Sequence, residues 1–329
     1  MGNCDNYNIT VMILTYNSSI EKTFQTIDSV IKQKKVNLQI VIADDGSLKN
    51  NFEEIESYLR GFNFFNYKLV SSKHNQGILK NYIKGLMHSD YAMVKPLSPG
   101  DFLYNEKSLY NALRYIDSSL PGTVYFGKLI YYGNEEKELK IYKNYCNPYN
   151  INPFIKQDYR KIKRNYFIDL DFISGASLIF NKEKFLPYLI EISKYVKYAE
   201  DYALIEILAY GEKIIPILDR DNNFMPFVWY ECNTGISTSS QSKWKKILDD
   251  ECYQVFKRLT EKNLISKSIF DLQCAFWNNN PIRILKLLSV SPIIFFTRLF
   301  RKITTNVIRV KKIELNFLVN ILDKKYFCS

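Results

Sequence analysis

The sequence has few of the side chains that bind transition metals. Only two of its 329 residues are histidine, and its six cysteines are scattered without the paired spacing of a zinc site. We therefore expect no zinc centre and a reduced, cytosolic compartment. The N-terminus is polar and runs straight into the first apolar strand, so we expect no signal peptide. The uncharged run Leu287–Thr297 is too short to span a bilayer.

Positive charge is concentrated at the C-terminal end of the chain. The net charge is +11, and residues 265–329 contain eleven basic and three acidic residues, so +8 of it lies there. Such asymmetry indicates an anionic partner, either a membrane or a nucleic acid. Because no recognised nucleic-acid-binding motif accompanies the charge, we expect no nucleic acid as partner.

The C-terminal segment also mixes apolar with basic residues. Ile284–Phe300 is strongly apolar but is interrupted by Lys286 and Arg298. This pattern is typical of amphipathic helices that lie on an anionic inner leaflet. We therefore expect a protein attached peripherally to the inner face of the cell membrane. The alternative is a helical cap that packs on the preceding domain or on a second subunit, as in a homodimer joined through this region.

Three short apolar segments each end in polar residues. The second segment, Leu38–Ala43, is β-branched and has no helical period, so it predicts a buried strand of a parallel sheet. Since ligands bind outside the carboxyl ends of strands in open α/β sheets, we predict one crevice lined by all three ends. Each ending alone could be an ordinary turn. The segments and their endings are Ile9–Leu14 with Thr15, Tyr16 and Asn17; Leu38–Ala43 with Asp44, Asp45, Gly46 and Ser47; and Tyr91–Leu97 with Ser98, Pro99, Gly100 and Asp101.

Helical periodicity and turn residues predict the other elements. Small residues inside a predicted strand, Ser174–Ser177, indicate a close backbone approach or a bend. The predicted helices are Ser19–Lys32, with Ser19 as N-cap, Gly77–Met87, Glu200–Tyr210 and one over about 241–261; a β-rich segment is predicted over 123–143 with a turn at Gly133 and Asn134, and a strand within Asp171–Asn181.

The order and spacing of these motifs resemble glycosyltransferase family 2. The resemblance is carried by Thr15-Tyr16-Asn17, by Asp44-Asp45-Gly46-Ser47, and by Asn75-x-Gly77-x-x-x-Asn81-x-x-x-Gly85. It implies the GT-A fold, a Rossmann-like α/β domain with a mostly parallel central sheet and helices on both faces. We expect a nucleotide-sugar-binding half at 1–118, an acceptor-binding and catalytic half of the same domain at 119–262, and a helical basic tail at 263–329.

The resemblance also implies donor-binding residues, each with a structural alternative. An acid of the Asp44-Asp45 pair would contact the base or ribose, and a loop containing Gly235–Ser237 would close over the donor. Gly85 could be a packing position, and Trp229 could be a core residue instead of stacking on a sugar. The implied donor-binding residues are Thr15, Tyr16, Asn17, Asp44, Asp45, Asn75, Gly77, Asn81, Ser174, Gly175, Ala176 and Trp229.

The third strand ending departs from the family pattern. Leu-Asp-x-Asp-Asp is reduced here to Leu97-Ser98-Pro99-Gly100-Asp101. Mn²⁺ or Mg²⁺ can be held by one or two carboxylates together with phosphates and water. Asp101 is therefore the expected metal ligand, with no second acid nearby; its alternative is a turn residue.

The implied catalytic residues are Glu200 and Asp201. An inverting transfer needs a base that takes the proton of the acceptor hydroxyl, and the resemblance assigns this role to Asp201 with Glu200 beside it. The alternative is a pair of acids favoured by a helix N-terminus. The stretch Gln241–Trp244 departs from the Gln-x-x-Arg-Trp motif of processive synthases, so we expect a non-processive enzyme.

These features predict an inverting, metal-dependent glycosyltransferase. It would move a sugar from a nucleotide-diphospho-sugar, expected to be a UDP-sugar, to a surface-glycan precursor such as a lipid-linked capsule or lipopolysaccharide unit. One alternative is a sugar nucleotidyltransferase, whose Gly-rich, basic loop is missing from Thr15–Ser19. The other is a non-catalytic, membrane-associated scaffold, which the lost acids at Ser98 and Gly100 favour and the Glu200-Asp201 pair disfavours.

Overall fold

The structure, a computed structural model, describes residues 7–119, 121–135, 138–142, 146–232, 242–304 and 313–324. The strands are β1 (Tyr7–Thr15), β2 (Val36–Asp44), β3 (Tyr67–Ser71), β4 (Met93–Leu97), β5 (Phe102–Leu103), β6 (Val124–Phe126), β7 (Lys128–Glu135), β8 (Glu138–Ile141), β9 (Leu178–Asn181), β10 (Ile214–Pro216) and β11 (Pro226–Glu231). The α-helices are α1 (Ile20–Ile31), α2 (Phe52–Gly61), α3 (Ile78–Met87), α4 (Ser108–Ser118), α5 (Asn152–Ile155), α6 (Tyr159–Arg164), α7 (Lys182–Ile192), α8 (Ala203–Ala209), α9 (Ser242–Glu261), α10 (Lys267–Trp277), α11 (Arg283–Val290), α12 (Pro292–Thr304) and α13 (Asn316–Leu322).

The central sheet is mostly parallel, as predicted. Its strand order is β10-β6-β9-β4-β1-β2-β3, and β9 is antiparallel to both of its neighbours while the other pairs are parallel. Because β4, β1 and β2 are adjacent, their carboxyl ends open on the same edge. This confirms the predicted juxtaposition of the three polar endings.

A second, four-stranded sheet places the end of β11 close to Asp101. Its order is β5-β11-β7-β8, and β11 pairs antiparallel with β5 and parallel with β7. Since β5 begins at Phe102, directly after Asp101, this pairing brings the end of β11 next to the third strand ending.

Helices cover both faces of the central sheet. In α1 the predicted N-cap is observed, because the Ser19 hydroxyl accepts the Lys22 amide N–H at 3.4 Å. The inward face of α3 buries Leu79, Tyr82 and Leu86. Gly85 of α3 packs on β1: a Cβ atom there would lie 2.4 Å from Met12 Sδ, so this glycine is a packing position.

Two local predictions are wrong. Gly133 and Asn134 form no turn, because β7 continues through them and pairs them with Lys140 and Leu139 of β8. Gly175–Ser177 is a 3₁₀ turn that precedes β9 and is not part of that strand, because the continuous apolar run begins only at Leu178.

The C-terminal region is helical, and much of it packs on the domain. Leu318 and Ile321 of α13 lie in one buried cluster with Phe102 and Trp229. Beyond α13, Lys324 Nζ lies 2.7 Å from Asp28 Oδ2 on α1. The cap alternative therefore holds for this segment. Among the described helices, none is long and apolar enough to cross a membrane.

Candidate active site

Asp44 ends β2 and ties the first two strand endings together. Its Oδ1 atom accepts the hydroxyls of Thr15 at 3.1 Å and Ser47 at 2.5 Å. Its Oδ2 atom accepts the Ser47 amide at 2.9 Å and the Ser71 hydroxyl at 3.3 Å. Only 1% of Asp44 is exposed, so its carboxylate acts as a buried acceptor that holds the residues at the bottom of the crevice in place.

Asp45 holds the loop that precedes α3. Its carboxylate accepts the backbone N–H groups of Gln76 at 2.9 Å and Gly77 at 2.8 Å. Gly77 has φ +96°, and a Cβ atom there would lie 2.3 Å from Lys197 Cγ, so only glycine fits this turn. Asn75 Oδ1 accepts a second hydrogen bond from the same Gly77 N–H at 3.0 Å. The Asp44-Asp45 ending and the Asn75–Gly77 loop thus form one hydrogen-bonded unit.

Tyr16 and Asn17 line the rim of the crevice. Asn17 adopts the left-handed conformation, donates its N–H to Ser47 Oγ at 2.7 Å and accepts the Leu48 N–H at 3.1 Å. The Tyr16 side chain between these fixed segments is 49% exposed. It is an aromatic surface available to a flat ligand such as a nucleotide base.

Two predicted donor-binding residues have structural positions instead. Asn81 is buried and donates its Nδ2–H to the Ala43 carbonyl at 2.7 Å, which joins α3 to the end of β2. Trp229 has no exposed surface, stacks on Tyr104 and donates its indole N–H to the Tyr104 carbonyl at 3.0 Å. The core alternative for Trp229 is therefore correct, because Trp229 lies in one buried cluster with Phe102 of β5 and Leu318 of α13.

Asp101 has an acidic neighbour that the sequence did not reveal. Asp101 Oδ1 accepts the backbone N–H of Glu231 at 3.2 Å, and the Glu231 carboxylate lies against Gly100. Burial raises the pKa of Asp101 to about 7, and the charge of Glu231 adds to the rise while Lys95 opposes it. The expectation that no second acid is near Asp101 is therefore wrong.

A buried lysine connects the third strand ending to the small-residue segment. Lys95 of β4 has no exposed surface and donates to the carbonyls of Pro96 at 2.7 Å and Ala176 at 2.6 Å. Burial lowers its pKa to about 7, against the attraction of Asp101. Lys95 thereby ties Ala176 of the small-residue segment to β4, a role that sequence reasoning missed.

Glu200 and Asp201 lie in a 3₁₀ turn that leads into α8. The Gly175 N–H lies 3.3 Å from Asp201 Oδ2, and a Cβ atom on Gly175 would lie 2.2 Å from Glu200 Oε1. Burial is the main cause that raises the pKa of both carboxyls, and the nearby charge of Asp201 raises that of Glu200 further. Both residues are half-buried. The structure thus brings the predicted base to the small-residue segment.

The turn is held by Glu251 of α9, another residue that sequence reasoning missed. Its carboxylate accepts the backbone N–H groups of Lys197 at 2.8 Å, Tyr198 at 3.0 Å and Ala199 at 3.0 Å. The Lys197 carbonyl in turn accepts the Leu79 N–H at 3.0 Å. A continuous set of hydrogen bonds therefore runs from Asp45 through the start of α3 to the residues before Glu200.

The family assignment follows from the chain itself. Residues 10–188, more than half of the chain, match the profile of Glycosyl transferase family 2. The chain belongs to glycosyl transferase family 2. Its matched part contains every strand ending described above and the Ser174–Ala176 segment, whereas Glu200, Asp201, Glu231 and Glu251 lie beyond it.

Solved structures of the family's GT-A type share the fold at low identity. TarS 1-349 from S. aureus, in complex with UDP-GlcNAc, is 18% identical with a TM-score of 0.52, covering 91% of this chain and 76% of that one. The mannosyltransferase PcManGT from Pyrobaculum calidifontis, in complex with GDP-Man and Mn²⁺, is 13% identical with a TM-score of 0.52, covering 89% and 76%. The chain spans only 43% of the longer TarS structure. No curated protein sequence matches it.

Two predicted segments lie outside the described residues. They are the loop containing Gly235–Ser237 and the residue Gln241 that opens the compared processive motif. Within the described part, no group of three or more His, Cys, Asp or Glu residues is arranged to hold a metal ion.

Proposed function

We propose that the protein is an inverting glycosyltransferase that uses a nucleotide-diphospho-sugar, with a UDP-sugar as the first candidate. The observation that carries this proposal is the placement of Asp201. Its carboxylate meets the Gly175 N–H, and Glu251 ties the preceding residues to α3 and so to the strand-end crevice. A base beside the donor crevice suits an attack on the anomeric carbon from the face opposite the leaving nucleotide.

In this proposal the chain's own residues perform four tasks. Tyr16 stacks on the base, and the unit formed by Asp44, Asp45 and Gly77 shapes the pocket for base and ribose. The start of α3 presents the positive end of its helix dipole to the diphosphate. Asp201 Oδ1 or Oδ2 takes the proton of the acceptor hydroxyl as the oxygen attacks.

A divalent cation fits the residues at the third strand ending. Asp101 Oδ2 accepts no hydrogen bond from any residue that the structure describes, and Asp101 and Glu231 offer the oxygen ligands that Mg²⁺ and Mn²⁺ prefer. When bound, such an ion would neutralise charge on the departing diphosphate. We infer that Asp101 is one of its ligands.

The proposed acceptor is a surface-glycan precursor held at the inner face of the cell membrane, and α11 and α12 are the proposed membrane contact. Their inner sides pack on the domain through Leu287 and Ile294, and Arg298 pairs with Asp169 at 2.7 Å. Large apolar side chains on their outer sides are exposed nonetheless. These are Ile284 (48%), Leu285 (68%), Leu288 (38%), Ile293 (58%), Phe296 (51%) and Leu299 (63%).

The charge of this stretch supports an anionic surface as the proposed partner. Residues 283–304 contain five basic and no acidic residues. Each basic residue near an anionic leaflet contributes about 1 kcal/mol, and inserted apolar side chains add to it. We propose salt-sensitive, reversible attachment of this face to the membrane.

Vesicle flotation tests the attachment without removing helices that contribute to the core. The variant Leu285→Ser/Phe296→Ser/Leu299→Ser should lose binding to phosphatidylglycerol vesicles. Phe65→Ser/Met87→Ser is the matched control, because those side chains are 69% and 65% exposed elsewhere on the surface. Equal flotation of both variants and the wild type would contradict the proposal. A change from dimer to monomer in the triple variant, without vesicle binding by the wild type, would assign the face to a homodimer instead.

A donor panel tests the catalytic proposal. The full chain is incubated with UDP-, GDP- and CMP-linked sugars, with and without Mn²⁺, and release of the free nucleotide is measured. We expect release from one or more UDP-sugars that depends on the cation. Binding of no nucleotide and release from no donor would favour the non-catalytic scaffold.

A further inference from the structure

The carboxylate of Glu231 fills the space of a side chain that the third strand ending lacks. Gly100 stands where the family pattern Leu-Asp-x-Asp-Asp has its second acid. A Cβ atom on Gly100 would lie 2.4 Å from Glu231 Oε2, and Gly100 has φ +100°. Position 100 is therefore closed to other side chains, and an acid from β11 occupies the volume that an acid at position 100 would need.

Glu231 is fixed in this place by its neighbours. Its backbone N–H donates to Asp101 Oδ1 at 3.2 Å, and its side chain is only 10% exposed. Lys22 of α1 lies over the carboxylate, with Nζ 2.7 Å from Oε1 and 2.6 Å from Oε2. A nearly buried carboxylate needs such a positive partner, because an uncompensated buried charge is strongly unfavourable.

We infer that Glu231 supplies the cation site with the carboxylate that the strand ending lost at position 100, and that Lys22 is the counter-ion that a divalent cation displaces. This inference rests on the proposed function, because it concerns the cation of the same donor site. The Lys22 side chain is 37% exposed, so it can swing into solvent on its flexible stem when a cation takes its place.

Mn²⁺ binding to the full chain, measured by calorimetry and by electron paramagnetic resonance with and without UDP, tests the inference. Glu231→Gln keeps the shape and should weaken Mn²⁺ binding at least about ten-fold. Lys22→Met removes the competing cation and should strengthen it several-fold. Glu53→Gln, at an exposed acid of α2, is the matched control and should change nothing.

The outcomes separate this inference from the proposed function. Unchanged Mn²⁺ affinity in Glu231→Gln, or no Mn²⁺ binding by the wild type in either condition, would overturn the inference. Loss of UDP binding in Lys22→Met would also overturn it, because Lys22 itself would then serve as the cation for the diphosphate. Mn²⁺ binding that depends on Glu231 in a protein that binds no nucleotide would support the inference and contradict the proposed function alone.

Discussion

Ala199 donates its backbone N–H to the carboxylate of Glu251, 52 residues further along the chain, at 3.0 Å. The same carboxylate accepts the N–H groups of Lys197 and Tyr198. The Glu251 carboxylate thus serves as the hydrogen-bond acceptor for the backbone N–H groups of the three residues that precede the Glu200-Asp201 turn. Because α9 lies beyond the residues that match the family profile, the position of the proposed base depends on a helix outside that match.

Glu251→Ala should impair both turnover and stability. It leaves three backbone N–H groups without their acceptor, at a cost of about 1–3 kcal/mol for each that stays buried. Glu251→Gln keeps one acceptor oxygen and should recover much of both properties. Chemical denaturation measures the stability of each variant, and kcat is measured together with the Kd for UDP. Equal kcat in the wild type and the alanine variant would show that Glu251 does not position the turn.

Gly175→Ala should lower activity while leaving the fold stable. Its Cβ atom would lie 2.2 Å from Glu200 Oε1, the end of a side chain that can move away and so disturb the carboxylate pair. Gly85→Ala is the matched variant, since its Cβ atom meets Met12 and Ala43 in the core and should cost about 1–3 kcal/mol of unfolding free energy. The assignment of Gly175 to the site fails if its variant loses stability but keeps full kcat.

The acid limb of the kcat/KM profile should lie at higher pH than an ordinary aspartate would give. A base must be deprotonated, and burial raises the pKa of Asp201 above its ordinary value of 3.8. Activity should therefore fall as pH drops and should rise with pH between about 5 and 7. A profile that stays flat down to the range of an ordinary aspartate would contradict the assignment of this buried carboxylate as the base.

Tyr16→Ala should weaken UDP binding roughly ten-fold, because stacking on a base contributes about 1–3 kcal/mol. Tyr149→Ala is the control, since Tyr149 is a comparably exposed tyrosine at 58% against 49% for Tyr16. Calorimetric titration with UDP gives both affinities. Similar affinities in the two variants would remove Tyr16 from the base pocket.

The sequence predicts the sheet and the strand endings well because their signals are local. Apolar, β-branched runs that stop at Thr15, Asp44 and the segment before Asp101 have a short-range pattern, and parallel strands place such endings on one edge. Helices α1 and α3 are predicted in the same way, from the helical spacing of their apolar residues. Small residues are harder to interpret: Gly175 looked like a strand residue, and only its contact with Glu200 explains its small size.

Partners that are distant in the chain could not be predicted. Glu231 follows an aromatic run and reaches Gly100 only because β11 pairs with β5. Glu251 is one acid in a helix rich in charged residues, with nothing in its neighbours to mark it as buried. Trp229 resembled a sugar-binding aromatic because a strand pattern does not tell which face α13 covers. These contacts arise from long-range pairing, which carries no local sequence signal.

The central claim is that Asp201 is the base of a glycosyl transfer, and Asp201→Asn tests it most directly. Nucleotide release from the donor that the panel identifies is measured beside calorimetric binding of UDP to the same protein. The account predicts turnover lowered by about 10²–10⁴ with nearly unchanged UDP affinity, since the substitution keeps the shape and removes only the proton acceptor. Turnover close to that of the wild type would contradict it.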